Sequence, residues 1–366
     1  MNPNLSGDGE IGLRNSSINS GQLVEQTADN LHGQFTNNLS CHQHWGKQRT
    51  KQLSITAILK DSISKRFGTK TRKSVNTSLI ESFHYPKFGP GQMWETVADE
   101  IRTLGGAVQM NCEVTGVRVM DDKVVSLEVR DGGKVYNLTA DAVFSSMPIK
   151  DLITEMNDVP PLISKIAEGL PYRDFVTVGI LVDKLKLTNH TDRKTLGNII
   201  PDCWIYVQDT SVRLGRVQVF NNWSPYMVKD PENTVWIGLE YFCNEGDDFW
   251  NLSDSDCVAM AVEELIRIGF IEGKHDVLLS HREKIKKAYP AYFGTYSEMD
   301  KVISFLDRFE NLYCIGRNGQ HRYNNMDHSM VTAFEAVEAF ESGRKSKVSI
   351  WNVNTEKEYH EQQAAH

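Results

Sequence analysis

The sequence predicts a mixed α/β (α+β) protein that includes a mixed or antiparallel sheet carrying helices, and three stretches carry that expectation. Residues 107–138 alternate in three short runs, VQMNCEVTGVRV, VVSLEVR and VYNL, divided by Asp121-Asp122 and Asp131-Gly132-Gly133, which is the pattern of a β-meander. Between 152 and 285, strand-like runs at 175–182, 204–207, 217–220 and 235–241 mix with helical pieces at 162–170 and 255–268, as in a sheet carrying helices. Near the end a buried run at 312–315 enters Gly316-Arg317-Asn318-Gly319 and then a helix from 326 to 340. Met330, Ala333, Phe334, Val337 and Phe340 form its apolar face.

Taken in order, residues 1–44 are rich in Asn, Ser, Gly and Gln and read as disordered or weakly ordered. They contain Gly7-x-Gly9-x-x-Gly12, but no apolar strand precedes it and no apolar helix follows, so the string lacks the context of a dinucleotide-binding turn. Residues 45–84 hold a short helix at 53–63 and then a basic stretch, Lys65 to Lys73, read as a solvated loop or a phosphate- or membrane-facing patch. The run FHYPKFGPG at 83–91 is a rigid turn. Trp94, Val97, Ala98, Ile101 and Leu104 then recur at helical spacing until Gly105-Gly106 stops the helix. A short strand at 142–144 ends at Ser145, Ser146 and Pro148. The expected division is 1–44, 45–84, 85–150, 151–310, 311–341 and a polar, loosely held tail at 342–366.

Bulk properties exclude some classes. With 366 residues, 40% hydrophobic and 24% charged, the chain can bury a large core. A formal charge of −8 opposes nucleic-acid binding. Six scattered cysteines without a C-x-x-C pair read as reduced thiols, the longest apolar run is too short for a bilayer, and the cytoplasm is the expected compartment. No metal site is expected, because His84, His321 and His328 lack zinc-ligand spacing. Glu240, Glu245, Asp247 and Asp248 read as a solvated acidic loop. The aromatic residues from Trp204 to Trp250 read as core, with a sugar- or base-stacking pocket as the use of any that stay exposed.

The chemistry is expected at 311–330. A strand feeding a glycine loop and a helix amino terminus points amides and the helix dipole at one spot, which suits negative charge. Arg317 adds a forked cation suited to phosphate, and Asn324 or Asn325 caps the helix. A plain structural β-turn-α connection remains the alternative.

The pattern Gly-Arg-x-Gly-x-x-Arg-Tyr-x-x-Met-Asp at 316–327 resembles the carboxyl-terminal flavin-binding segment of UDP-galactopyranose mutases. Leu170-Pro171-Tyr172-Arg173 and Tyr289-Pro290 are similar to further mutase segments, and Pro90 to Trp94 resembles the Gly-Gly-Met turn of amine and protoporphyrinogen oxidases. The resemblance covers about 45–337 and implies a partial FAD-binding Rossmann-like domain with an inserted substrate domain. By it, Gly316, Arg317, Asn325, Met326, Asp327, Val114 and Gly91 become cofactor-binding. Arg317, Tyr323, Arg173, Tyr172 and Tyr289 become substrate-binding.

The implied activity is that of a FAD-dependent oxidoreductase or mutase-like enzyme acting on a nucleotide-sugar or similar anionic substrate. The amino-terminal dinucleotide-binding unit of the family is not found ahead of residue 45. The chain is then a truncated product, or a separate chain supplies that unit, or FAD is no longer held tightly. The alternative is a non-catalytic remnant that binds a partner.

Overall fold

The computed structural model describes residues 85–353, together with the backbone of Leu23–Thr27 and Ser82–Pro86. The glycine string at 7–12, the helix expected at 53–63 and the basic stretch lie outside those residues. Strand β1 (Leu23–Thr27) pairs antiparallel with β2 (Ser82–Pro86). Helix α1 (Pro90–Thr103) follows, with Pro at its first position, where the missing N–H costs nothing.

Strands β3 (Cys112–Met120), β4 (Lys123–Asp131) and β5 (Lys134–Leu138) form the expected antiparallel meander. Strand β6 (Val143–Ser145) leads to helices α2 (Ile149–Glu155) and α3 (Pro161–Glu168). The largest sheet is built from β7 (Tyr172–Val182), β8 (Trp204–Tyr206), β9 (Arg216–Val219), β10 (Val235–Cys243) and β11 (Val277–Pro290). Its order is β11-β7-β10-β9-β8, and every pairing is antiparallel. Helix α4 (Phe220–Trp223) and helix α5 (Asp254–Arg267) lie between its strands in sequence. Helix α6 (Met299–Leu306) precedes β12 (Leu312–Cys314), which runs parallel to β6. Helices α7 (Gly316–Gly319), α8 (Met326–Glu341) and α9 (Val348–Trp351) end the described chain.

Alternation along β7 explains the first core. Val176, Val178, Ile180 and Val182 point to one face and are fully buried with Ile237, Leu239 and Tyr241 of β10. Helix α5 covers that face with Cys257, Ala261, Val262 and Leu265. Its start is fixed by Ser253, whose side chain accepts from the Asp256 N–H at 3.1 Å. A second core joins Val117, Val119 and Val124 of the meander to α2, α3, α6, β12 and Trp351. The sheet core and this second core thus do not divide at residues 150 and 310, because α2, α3 and α6 pack with the meander.

Segments far apart in sequence are fastened at Asn311. Its Oδ1 accepts from the Val124 N–H at 2.8 Å, its Nδ2 donates to the Val124 carbonyl at 2.9 Å, and its own carbonyl accepts from the Val143 N–H at 2.8 Å. One side chain therefore acts as an extra strand rung between the meander and the β6–β12 pair.

The tail departs from the expectation of loose holding. Ile350 and Trp351 are buried, the Trp351 Nε1 donates to Asp307 at 2.8 Å, and Lys347 Nζ donates to the Phe309 carbonyl at 2.5 Å. A polar composition hid two anchoring apolar residues. His321 is fully buried between Tyr172 (4.7 Å between ring centroids) and Tyr296 (5.8 Å). Its Nε2 lies 3.1 Å from the Ala291 carbonyl, and burial lowers its pKa to about 4.

Two outcomes follow. Asn311→Ala should lose about 2–3 kcal/mol in urea unfolding, since two hydrogen bonds go and the Val124 groups are left unpaired. A loss under about 0.5 kcal/mol would place Asn311 among ordinary surface positions. For His321, the unfolded chain takes up a proton near pH 6.5 and the folded chain only near 4, so stability falls as pH drops across that window. The stability difference between wild type and His321→Asn should shrink by roughly 3 kcal/mol from pH 7 to 4. Parallel curves would show that His321 is not held neutral.

Candidate functional site

The parallel pair β6–β12 sets the location. Both strands end at the same level, and ligands of open parallel sheets sit outside the carboxyl ends of their strands. There the chain turns at Gly316, with φ +72°, a conformation that side-chain-bearing residues avoid. A Cβ on Gly319 would lie 2.5 Å from the Ser145 carbonyl oxygen at the end of β6, so glycine lets the loop close onto that strand. The Gly316 N–H donates to Thr332 Oγ1 at 2.8 Å, which ties the loop to α8. The first turn of α8 follows, with Asn325, Met326 and Asp327 exposed to solvent. The Asn325 N–H is met by His328 Nδ1 at 3.4 Å.

Arg317 is built into this loop more deeply than its sequence suggests. Its Nε and Nη2 donate to the Asn324 carbonyl at 3.1 and 2.6 Å, and its Nη1 to the Ala288 carbonyl at 3.0 Å. Asn318 Nδ2 donates to the neighbouring Lys287 carbonyl at 3.0 Å. Both carbonyls belong to a bulge in β11 between Ile285 and Tyr289, where Lys287 adopts φ +52°. Asp174 Oδ1 fixes the bulge by accepting from the Lys287 N–H at 2.5 Å, while its Oδ2 accepts from the Glu245 N–H at 2.6 Å. Lys287 Nζ pairs with Asp151 at 2.5 Å.

The guanidinium of Arg317 lies 5.2 Å from the Tyr289 ring centroid and 5.0 Å from that of Tyr323, and these two rings stack 5.9 Å apart at 22°. Tyr289 Oη accepts from Arg216 Nη2 at 2.9 Å, and Arg216 pairs with Glu240 at 2.6 Å. Burial works against the Arg216 charge, but Glu240, then Tyr289, raise its pKa above the ordinary arginine value.

Of the residues expected from sequence, Gly316, Arg317, Tyr323 and Tyr289 come together here, with Asn325, Met326 and Asp327 at the adjoining helix start. Arg173 pairs in register with Tyr289, and Tyr172 stands edge-on to His321 with its pKa raised, chiefly by burial. Val114 packs in the second core, and Gly91 is an exposed residue of α1 with open space beside it, so both lie on other elements. Glu240 corrects the solvated-loop expectation: it sits in β10, buried and paired. Sequence reasoning missed Arg216, Gln218, Asp174, Lys287 and Asn318. For Arg216 and Gln218, the polar residues at alternate positions of β9 were the available signal.

Some surfaces remain open. On α1, Trp94, Val97 and Ile101 are exposed, as is Leu104 at its carboxyl cap, and no residue of that helix is buried. On α8, Val331, Phe334, Val337 and Phe340 are likewise exposed. Among the described residues, no helix is long and apolar enough to cross a membrane, and no cluster of His, Cys, Asp and Glu could hold a metal ion.

Curated proteins give no match. Among solved structures, reduced UDP-galactopyranose mutase superposes with a TM-score of 0.61 at 17% identity, over 85% of this chain and 63% of the mutase. This chain therefore spans less than two thirds of that enzyme's length, and the likeness establishes the shared fold. An oxidoreductase from Methanosarcina mazei matches at 14% identity with a TM-score of 0.44, over 75% of this chain and 62% of its own. The model of the family described as flavin containing amine oxidoreductase matches residues 31–325, most of the sequence, and the chain belongs to that family.

Proposed function

We propose that this chain is the substrate-binding and carboxyl-terminal flavin-binding part of a FAD-dependent oxidoreductase or mutase-like enzyme that acts on a nucleotide-sugar or a similar anionic substrate. In this reading 85–150 and 311–341, with α2, α3 and α6 packed on them, form the flavin side, the five-stranded sheet and α5 the substrate side, and the cytoplasm is its place of work. The observation that carries the reading is Arg317, set at the carboxyl ends of a parallel strand pair between a glycine loop and stacked tyrosines. Three of its five N–H groups are spent on carbonyls, and two remain for an anion.

The donor set fits the ring end of FAD. The exposed first turn of the 16-residue α8 offers amides that favour negative charge on a reduced flavin. When bound, flavin supplies the redox or nucleophilic chemistry. The chain's own work is to hold the anionic group at Arg317, to stack substrate against Tyr289 and Tyr323, and to keep both groups in register. The exposed apolar faces of α1 and α8 support a second reading, in which the chain binds a partner, including one that supplies a pyrophosphate cradle.

Binding of UDP-galactose to the chain, with FAD added and reduced, tests the first reading. Arg317→Lys should weaken it by about ten- to a hundredfold, since the planar fork is lost while the charge stays. Tyr323→Phe should cost less. Thermal melts must accompany both, because Arg317 also braces the loop. Unchanged affinity in a folded Arg317→Lys protein, or no flavin-dependent binding at all, would favour the partner reading.

A further inference from the structure

The parallel pair β6–β12 is closed on one side and open on the other. Strand β6 meets β12 through the Val143 N–H, which donates to the Asn311 carbonyl at 2.8 Å, and the Ser145 carbonyl, which accepts from the Ile315 N–H at 2.9 Å. Alternate residues of a strand present their main-chain groups to opposite edges, so the Phe144 N–H and carbonyl point away from β12. Among the described residues no strand pairs with them. The far edge of β12 is filled. There the Leu312 N–H donates to the Phe309 carbonyl at 3.4 Å, and the Cys314 carbonyl accepts from Gln320 Nε2 at 3.3 Å.

Helix α8 lies over this pair and overhangs its open side. Thr332, Ala336 and Ala339 are its buried face, and the two alanines pack with Tyr313 of β12. The Phe340 ring is 6.5 Å from that of Tyr313 and 6.1 Å from that of Phe144, and the latter two stack at 5.1 Å, so the helix sits above both strands. At ~3.6 residues per turn, Phe340, Val337 and Phe334 follow one another round the helix from the side that touches Phe144. All four residues are exposed. An unpaired strand edge beside an apolar helix face is a surface that an interface covers.

We propose that a second copy of this chain covers that face, related by a twofold axis perpendicular to the β6–β12 sheet and beside Phe144. An edge with one outward N–H and one outward carbonyl is complementary to itself. Turned about that axis, each Phe144 N–H donates to the carbonyl of the partner's Phe144, as in an antiparallel hydrogen-bonded pair. The same rotation sets the two α8 helices side by side and antiparallel. Because each α8 straddles its own β6 and β12, the helix axes lie two strand spacings apart, roughly 9–10 Å, and helices pack at about 8–10 Å. Val337 then faces the partner's Val337, with Phe334 and Phe340 to either side. A foreign strand fills the edge and leaves the α8 face uncovered, whereas a second copy fills both. The antiparallel junction sends the two Arg317 loops to opposite ends of the joint sheet, so the inference does not rest on the flavin reading.

Sedimentation velocity of the full chain, without FAD, tests the proposal. It should show a species of twice the chain mass at micromolar concentration and no larger series, since a twofold contact closes on itself. Val337→Glu sets two unpaired carboxylates face to face at the centre and should weaken association by about a hundredfold or more, with a native far-ultraviolet circular dichroism spectrum. Phe334→Glu serves as the second variant if Val337→Glu does not fold. Hydrogen exchange needs no variant. As concentration rises through the dissociation range, the Phe144 amide should slow far more than that of Val143, which is bonded to Asn311 within one copy. A monomer at every concentration, an open-ended series of larger species, or a dimer indifferent to both substitutions would overturn the proposal. So would a Phe144 amide that exchanges at one rate throughout, or a different polypeptide seated on the chain in place of the second copy. Arg317→Lys should leave the dimer intact, so this proposal and the flavin reading fail separately.

Discussion

The arrangement of the site depends on one irregularity, the bulge in β11. An edge strand that stayed regular would turn the carbonyls of Lys287 and Ala288 along the sheet. The bulge turns them toward Asn318 and Arg317 instead. A lysine at φ +52° is strained, and the carboxylate of Asp174 offsets that strain by accepting from its N–H. The glycine loop is thereby held from the sheet side by two hydrogen bonds and from the α8 side by Thr332. Arg317 braces the loop and, in the proposed function, is also the cation offered to the ligand, so the two roles cannot be separated by removing it.

The Arg216–Glu240 pair is the second costly feature. Burying two charges is repaid only with good geometry and satisfied neighbours, and here Tyr289, Gln218 and four ring faces supply them. Removing one partner alone would strand the other, at a cost of about 3–5 kcal/mol. The consequence for the site is orientation. Because Tyr289 Oη accepts from Arg216, its own hydroxyl hydrogen is left to point elsewhere.

Local pattern made much of the fold legible. Alternation gave the meander and β7, and 3.6-residue spacing gave α1, α5 and α8, because those elements bury one face or carry strong boundary signals, a stop at Gly105 or a cap at Asn325. Strand β11 was not legible. It is an edge strand whose middle reads SHREKIKK, and charged edges that discourage pairing with other chains also hide the strand from a hydrophobicity search. Helix α9 was missed because two buried residues in a polar tail carry no periodicity. At the site, the glycine loop and its arginine were visible as a string. Their partners, Lys287, Ala288, Asp174 and Arg216, come from distant strands through main-chain carbonyls and cross-strand register, which no local pattern encodes.

The central claim is that the bulge transmits order from the sheet to the glycine loop. Hydrogen exchange of the loop amides in Asp174→Ala measures it most directly, since the Asp174 carboxylate bonds the Lys287 and Glu245 amides and not the loop itself. The Gln320, His321 and Arg322 amides are protected by bonds to Gly316, Asn318 and Arg317, and they report the loop's opening. The account predicts that these amides exchange about tenfold faster or more in the variant, equivalent to about 1.4 kcal/mol of lost local stability, alongside those of β11. Faster exchange confined to β7 and β11, with the loop amides unchanged, would contradict it.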